Sequence, residues 1–303
     1  DAERILRQLI MRNLKDGFHQ FKLAKLLSKQ EGKESEVMDL LNKAANNSDN
    51  PSLIYTYKTA FLIKKKMFQE ALLVAKQVSD LRPNASIGHI LKGDIYFANE
   101  KNQQAYSSYE IAYKLIPNIK LLDLMVRALR KQNKQAELIV LLEAELENSK
   151  NKKLRNLIQF KLALEYQEIK QYKQSIKNYK ALLNKGVDSF VILNNLAWIY
   201  SEQKNVKALG YAIKAYKKAP QSGVVADTYG YILFKNGDKK EALKLLKKAV
   251  RLAPKLQKIQ LHLAEVYLAN NKKNQALDIL KKIALDEKPF SKKQDATELY
   301  LKL

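Results

Sequence analysis

The chain has 303 residues, no cysteine and three histidines, and its 55 Lys and Arg outnumber 31 Asp and Glu to leave a formal net charge of +24. This composition excludes disulfides, thiolate metal sites and cysteine nucleophiles, and leaves little for a histidine-based metal cluster. At 46% hydrophobic it has the material for a core, and no apolar run approaches the roughly 18 residues that crossing a membrane needs.

Only 9 Gly and 6 Pro punctuate the chain, so a sheet protein with many tight turns is not expected. Length alone would suggest about two ordinary domains. An internal period argues instead for repeats. Residues 1–15 read as the second helix of a repeat whose first helix is missing. Ala2 lies 34 residues before Glu36, which fills the place taken by Ala71 and Ala105 in later units. On this reading the chain is a segment of a longer array, and any signal peptide or anchor cysteine would be lost with the missing part.

Eight units then occupy residues 16–289. Each carries a small or medium residue at one phase: Ala24, Thr59, Gly93, Val126, Ala163, Ala197, Gly230 and Ala264, with steps of 35, 34, 33, 37, 34, 33 and 34. The clearest unit sets Gly230, Ala242, Ala249 and Pro254 at intervals of 12, 7 and 5, and Gly93, Ala105, Ala112 and Pro117 repeat those intervals. Pro83, Pro117, Pro220 and Pro254 share this phase.

Each unit reads as two amphipathic helices with a polar turn between them, such as Lys65–Met67, Gln203–Asn205 or Asn236–Asp238. The small residues let helices approach. Tyr96, Tyr166, Tyr200 and Tyr267, each three places after the small position, suit the role of filling the notch. The proline stops the second helix. Residues 290–303, after the Pro289 break, give one more helix as a terminal cap. A single helix pair cannot bury its apolar face, but stacked pairs build a continuous core. The expectation is one all-α, right-handed α-solenoid of eight pairs over residues 1–303, with a leading half-repeat and a capping helix.

The pattern Gly230, Leu233, Ala242, Leu246, Ala249, Pro254 resembles the tetratricopeptide repeat, over essentially the whole chain. The pentatricopeptide class, which reads RNA, runs more strictly at 35 and lacks this ladder. Within the C-terminal half, Leu193-Asn-Asn-Leu-Ala-Trp-Ile-Tyr, Ala208-Leu-Gly-Tyr-Ala and Asp227-Thr-Tyr-Gly-Tyr resemble the last repeats of bacterial tetratricopeptide lipoproteins. Those accompany exopolysaccharide and PEP-CTERM/exosortase sorting loci. The resemblance implies a non-enzymatic scaffold that is periplasmic, or membrane-anchored on the periplasmic side through a missing N-terminal anchor. A cytoplasmic location is the alternative.

The chain shows no phosphate-cradling glycine loop and no His-Glu-x-x-His, so neither enzyme nor cofactor nor metal is expected. His19, His89 and His262 fall in different repeats and read as surface or helix-face residues.

In tetratricopeptide arrays the first helix of each unit lines the concave face. Carrying that over, the positions three before, one after and four after the small residue supply Phe160 in one unit, Asn194 and Trp198 in the next, then Asp227, Tyr231 and Phe234. In the first half they supply Phe97, Arg127 and Arg130. Aromatic anchors with a polar rim suit an extended or helical peptide. Trp198 is the leading candidate; its alternative role is packing between neighbouring first helices. Arg127 and Arg130, with Lys131, form a basic spot that would hold an acidic group or stand as a solvated helix end.

Residues 1–150 hold 24 basic and 18 acidic side chains, a net of +6, and residues 151–303 hold 31 and 13, a net of +18. The expected function is a protein-interaction scaffold whose groove takes a protein or peptide segment, acidic in character. The alternative is a binder of an anionic polymer through the Lys-rich half. Lys rather than Arg dominates, which disfavours nucleic acid.

Overall fold

The computed structural model of the protein describes residues 1–286 and 290–303, and all eighteen regular elements among them are α-helices. Pro289, expected to break the chain before the cap, lies outside the described residues. The chain divides into two compact units, Asp1–Leu141 and Leu142–Leu303.

Unit 1 opens with α1 (Ala2–Arg12). The pairs α2 (Gly17–Leu27) with α3 (Glu34–Asn46), α4 (Ser52–Lys64) with α5 (Phe68–Leu81), and α6 (Ser86–Ala98) with α7 (Asn102–Leu115) follow, then α8 (Ile119–Lys131). The division falls inside α9 (Gln135–Asn148). Unit 2 holds α10 (Lys152–Glu168) with α11 (Tyr172–Asn184), α12 (Phe190–Glu202) with α13 (Lys207–Lys218), α14 (Gly223–Lys235) with α15 (Lys239–Leu252), α16 (Gln257–Ala269) with α17 (Lys273–Leu285), and the closing α18 (Lys293–Leu301). Among the described residues the helices are a leading one, eight pairs and a final one, the all-α solenoid class expected from the period.

The turns explain why each pair folds back. Every within-pair turn carries one residue in the left-handed region: Gly32, Lys66, Glu100, Asn133, Lys170, Lys204, Gly237 and Asn271. The chain then closes a helix-ending hydrogen bond across it, as from Met67 N to Leu62 O at 2.9 Å and Asp238 N to Leu233 O at 3.0 Å. This satisfies carbonyls that a helix end leaves open. The four in-phase prolines each directly follow the C-cap residue of a second helix, and those caps, from Arg82 to Ala253, lie outside the helical region with φ between −136° and −141°. A residue before proline is pushed out of the helical region, so the helix ends there.

The small positions sit at the pair interface. Ala24, Ala163, Ala197 and Ala264 are fully buried, as are Ala71, Ala105, Ala242 and Ala276 in the partner helices. At Gly93 a Cβ would stand 2.4 Å from the Tyr109 ring. The notch is therefore filled from the second helix, 16 residues on. This corrects the sequence reading, which gave the role to Tyr96, Tyr166, Tyr200 and Tyr267. Leu246 meets Gly230 in the same register, and the buried Tyr179 occupies that register after Ala163. Tyr166 instead donates to Glu143, and Tyr200 stacks on Tyr211 with ring centroids 5.4 Å apart. Burying each large apolar side chain contributes about 1.5–3 kcal/mol, and the tiling repeats that gain from pair to pair.

Successive first helices also pack on one another, α4 on α6 in unit 1 and α12 on α14 on α16 in unit 2. This brings first-helix side chains from different repeats onto one surface.

Candidate partner-binding groove

In unit 2 the first helices α12, α14 and α16 form an aromatic column. Trp198 on α12 stacks on Tyr231 of α14, with centroids 6.2 Å apart and planes 23° apart. Tyr231 lies on the ring of His262 from α16 at 3.8 Å and 14°, and Trp198 stands 6.0 Å from that same ring. Phe234, one helical turn along from Tyr231, packs on it at 6.0 Å. Trp198 and Tyr231 are half-buried, so each keeps part of its surface in solvent. Of the two roles that the sequence left open for Trp198, the packing between neighbouring first helices is seen directly.

Beneath the rings lies a polar pair. Asp227 Oδ1 accepts from His262 Nδ1 at 2.8 Å, with His262 wholly buried and Asp227 4% exposed. The carboxylate accepts the Nδ1 hydrogen bond, which orients the ring and leaves Nε2 outside the pair. That Nε2 and the Asn194 Oδ1 are buried with no hydrogen-bond partner among the described residues. His262 is therefore a buried helix-face residue, not a surface one. Its burial was missed because a histidine on an apolar helix face carries no local mark of a partner 35 residues away.

Cations frame the column. Lys258 Nζ sits 3.7 Å from the Trp198 ring centroid. Lys235 Nζ lies 5.1 Å from Tyr231 and 5.8 Å from Trp198, and also pairs with Glu202 at 3.2 Å. A cation over an aromatic face is attracted by the ring quadrupole. Lys258 is an exposed residue whose ammonium lies on the indole. Crowding there lowers its pKa through lost hydration, with Lys292 and Lys235 acting in the same direction against Asp227 and Glu202. Burial, then the Glu265 carboxylate, raises the Tyr231 hydroxyl well above the ordinary tyrosine range. Tyr231 is consequently a neutral hydrogen-bonding ring at physiological pH.

A cleft of about 650 Å³ opens on this surface, lined by Asn194, Asn195, Trp198, Asp227, Thr228 and Lys258 among others. Of the unit 2 candidates, Asn194, Trp198 and Asp227 thus meet at one cleft, and Tyr231 and Phe234 continue the column beside it. Phe160 is not in this group; it packs edge-on against Tyr179 at 6.0 Å.

Unit 1 carries its own first-helix surface. The Arg127 guanidinium lies 4.9 Å from the Phe97 ring centroid, and both Arg127 and Arg130 are exposed. Asp94 accepts from Tyr109 OH at 2.7 Å, and burial raises its pKa. In a second aromatic spot there, Phe21 and Lys25 occupy positions that the sequence rule assigns to the concave face, and only Tyr57 escaped it. Phe21 meets Tyr57 edge-on at 5.4 Å, with Lys25 Nζ within 6 Å of both rings. Tyr57 lies outside the three positions carried over for the concave face, so that rule alone would not find it.

Residues 233–291 match the tetratricopeptide repeat family. The fold is the tetratricopeptide-repeat α-solenoid. Across 94% of the chain it is similar to the crystal structure of the APC/C hetero-tetramer Cut9–Hcn1, with a TM-score of 0.57 and 12% identity. The chain spans 59% of that protein's length. It is also similar to the C-terminal part of a tetratricopeptide-repeat-containing protein from Cytophaga hutchinsonii, with a TM-score of 0.51, 16% identity, and coverage of 80% of this chain and 98% of that one. At these identities the likeness is one of fold. No curated protein matches the chain.

Proposed function

We propose that the protein is a non-catalytic interaction module that holds an extended or helical segment of a partner protein against the first helices of unit 2. The carrying observation is the half-exposed Trp198–Tyr231 stack beside a cleft rimmed by Asn194, Asp227 and Lys258. Large, rigid aromatic rings give contact area at low entropic cost, and such residues dominate binding energy at interfaces. Lys258, which makes no ion pair among the described residues, favours an acidic group nearby. Tetratricopeptide-repeat proteins as a class mediate protein–protein contacts, which supports this reading.

The setting we propose is an envelope assembly for exopolysaccharide export or protein sorting, on the periplasmic side. It rests on the resemblance of residues 190–303 described above. Fractionation of cells carrying the tagged protein tests the location, and a purely cytoplasmic signal sinks it.

Trp198 is the sole tryptophan, so its emission reports the groove directly. Peptides selected from a random dodecamer library on the intact protein should shift that emission. Tyr231→Ala should weaken their binding by about tenfold or more, the scale of an aromatic hot spot. Selected peptides that bind Trp198→Ala and Tyr231→Ala as tightly as the parent would remove the groove from consideration.

A further inference from the structure

The excess charge of unit 2 is not spread over its helices. The second helices α11, α13, α15 and α17 carry sixteen basic and two acidic side chains, a net of +14. The first helices α10, α12, α14 and α16 carry six basic and five acidic, a net of +1. In unit 1 the second helices α1, α3, α5 and α7 carry six and seven, a net of −1. The basic surface is thus one face of one unit, and it is a different face from the aromatic groove.

Helix α15 is its centre. Lys240, Lys244, Lys247 and Arg251 recur at i, i+4, i+7 and i+11, which aligns them on one side of a helix. All four are exposed. They rim a furrow of about 560 Å³ whose remaining lining is Leu243, Val250 and Leu263. On the other side of α15, Lys244 and Arg251 also border a furrow of about 470 Å³, together with Lys217, Lys248, Ile213 and Leu245. Few of these cations are neutralised. Lys244 pairs with Glu241 at 3.3 Å with 78% of its side chain exposed, and Lys240 and Arg251 make no ion pair among the described residues.

We infer that this face docks an acidic amphipathic helix of a partner protein, with leucine-type side chains in the furrow and Glu or Asp against the rim. Charge complementarity requires an anionic partner. The aliphatic floor selects among anions. A nucleic acid or an acidic polysaccharide would leave Leu243, Val250 and Leu263 unused, and a phosphate-reading surface would use Arg forks where this face has fifteen Lys and one Arg. The tyrosines of the second furrow are spoken for. Tyr216 packs on Tyr229 at 5.5 Å and accepts from Lys248 Nζ at 2.8 Å, so they offer no open platform for bases.

The test uses the whole chain and a labelled synthetic 18-residue helical peptide with a leucine stripe flanked by glutamates. Its counterpart has every leucine replaced by serine at equal charge. Oligo-dT, heparin and phosphatidylserine vesicles serve as competing polyanions. The leucine peptide should bind at least about tenfold tighter than the serine peptide, the scale of a few buried aliphatic contacts. Lys244→Glu with Arg251→Glu should weaken it by a similar factor, because reversed charges meet its glutamates. Leu243→Ser should erase most of the difference between the two peptides. Trp198→Ala should leave all of this unchanged, which separates this face from the groove. Equal binding of both peptides, or tighter binding of oligo-dT, heparin or vesicles, would overturn the proposal. So would absence of binding by the leucine peptide.

Discussion

Asp227 and His262 stand 35 positions apart and meet at 2.8 Å, carboxylate to imidazole, with both side chains sealed from solvent. The contact ties α14 to α16, and it holds the imidazole flat beneath Tyr231. The aromatic column of the groove is thus mounted on a buried polar pair that joins two first helices.

His262→Leu should therefore destabilise unit 2 by more than a surface change. It leaves Asp227 buried without its donor, a loss of about 1–3 kcal/mol. Urea unfolding followed by Trp198 emission reads this, because Trp198 packs on the same rings. A double-mutant cycle with Asp227→Leu should give a coupling of about 0.5–3 kcal/mol. Strict additivity would show that the pair contributes nothing.

Gly93 and Gly210 make a matched pair of opposite sign. A Cβ at Gly93 would collide with the Tyr109 ring at 2.4 Å, so Gly93→Ala should cost about 1–3 kcal/mol as overpacking. A Cβ at Gly210, inside α13, would meet nothing within 4 Å. Gly210→Ala should stabilise by about 0.5–1 kcal/mol through helix propensity. Thermal melts of the two variants should move in opposite directions.

The left-handed turns supply the next comparison. Lys204 holds φ at +53° and Lys170 at +58°, conformations that cost an ordinary residue about 1–2 kcal/mol. Lys204→Gly should raise the melting temperature, and Lys170→Gly likewise. Gly237→Ala, at φ +92°, should lower it. No change in either direction would mean that these turns are not strained.

Alkaline pH should loosen unit 2. Burial, and then the Glu143 carboxylate that its hydroxyl faces, push the Tyr166 pKa from 10.0 up to about 12. A pKa raised on folding contributes stability that is complete below the unfolded value and lost as pH rises through the folded one. The loss should therefore fall between about pH 10 and pH 12. Burial shifts Tyr179 in the same direction. The urea midpoint should decline across this window, and less steeply in Tyr166→Phe.

The helices were legible because each repeat states them afresh. Small residues, polar turns and prolines recur at fixed offsets, and the left-handed residue of each turn, a Gly, Asn or Lys except for Glu100, falls within the turn read there. Side-chain partners were less legible. That Tyr109 fills the Gly93 notch depends on which face of the second helix turns inward, and several tyrosines lie within reach of the small position. The position of Asp227 on a first helix was legible. Its bond to His262 was not, because it joins two repeats whose individual patterns are complete without it. The asymmetry of charge was visible as a difference between halves. Only the assignment of residues to first and second helices resolved it into one face.

Each helix in a unit packs mainly on the next one or two in the chain. The architecture is therefore indifferent to its own length. Copying or excising one period of about 34 residues rewires no distant contact, because such solenoids depend on nearest-neighbour interfaces. The binding faces do not share that freedom. The column needs three consecutive first helices and the basic furrows need α15 set between α13 and α16, so insertion of a foreign repeat within α12–α16 would keep the fold and break the register of both surfaces.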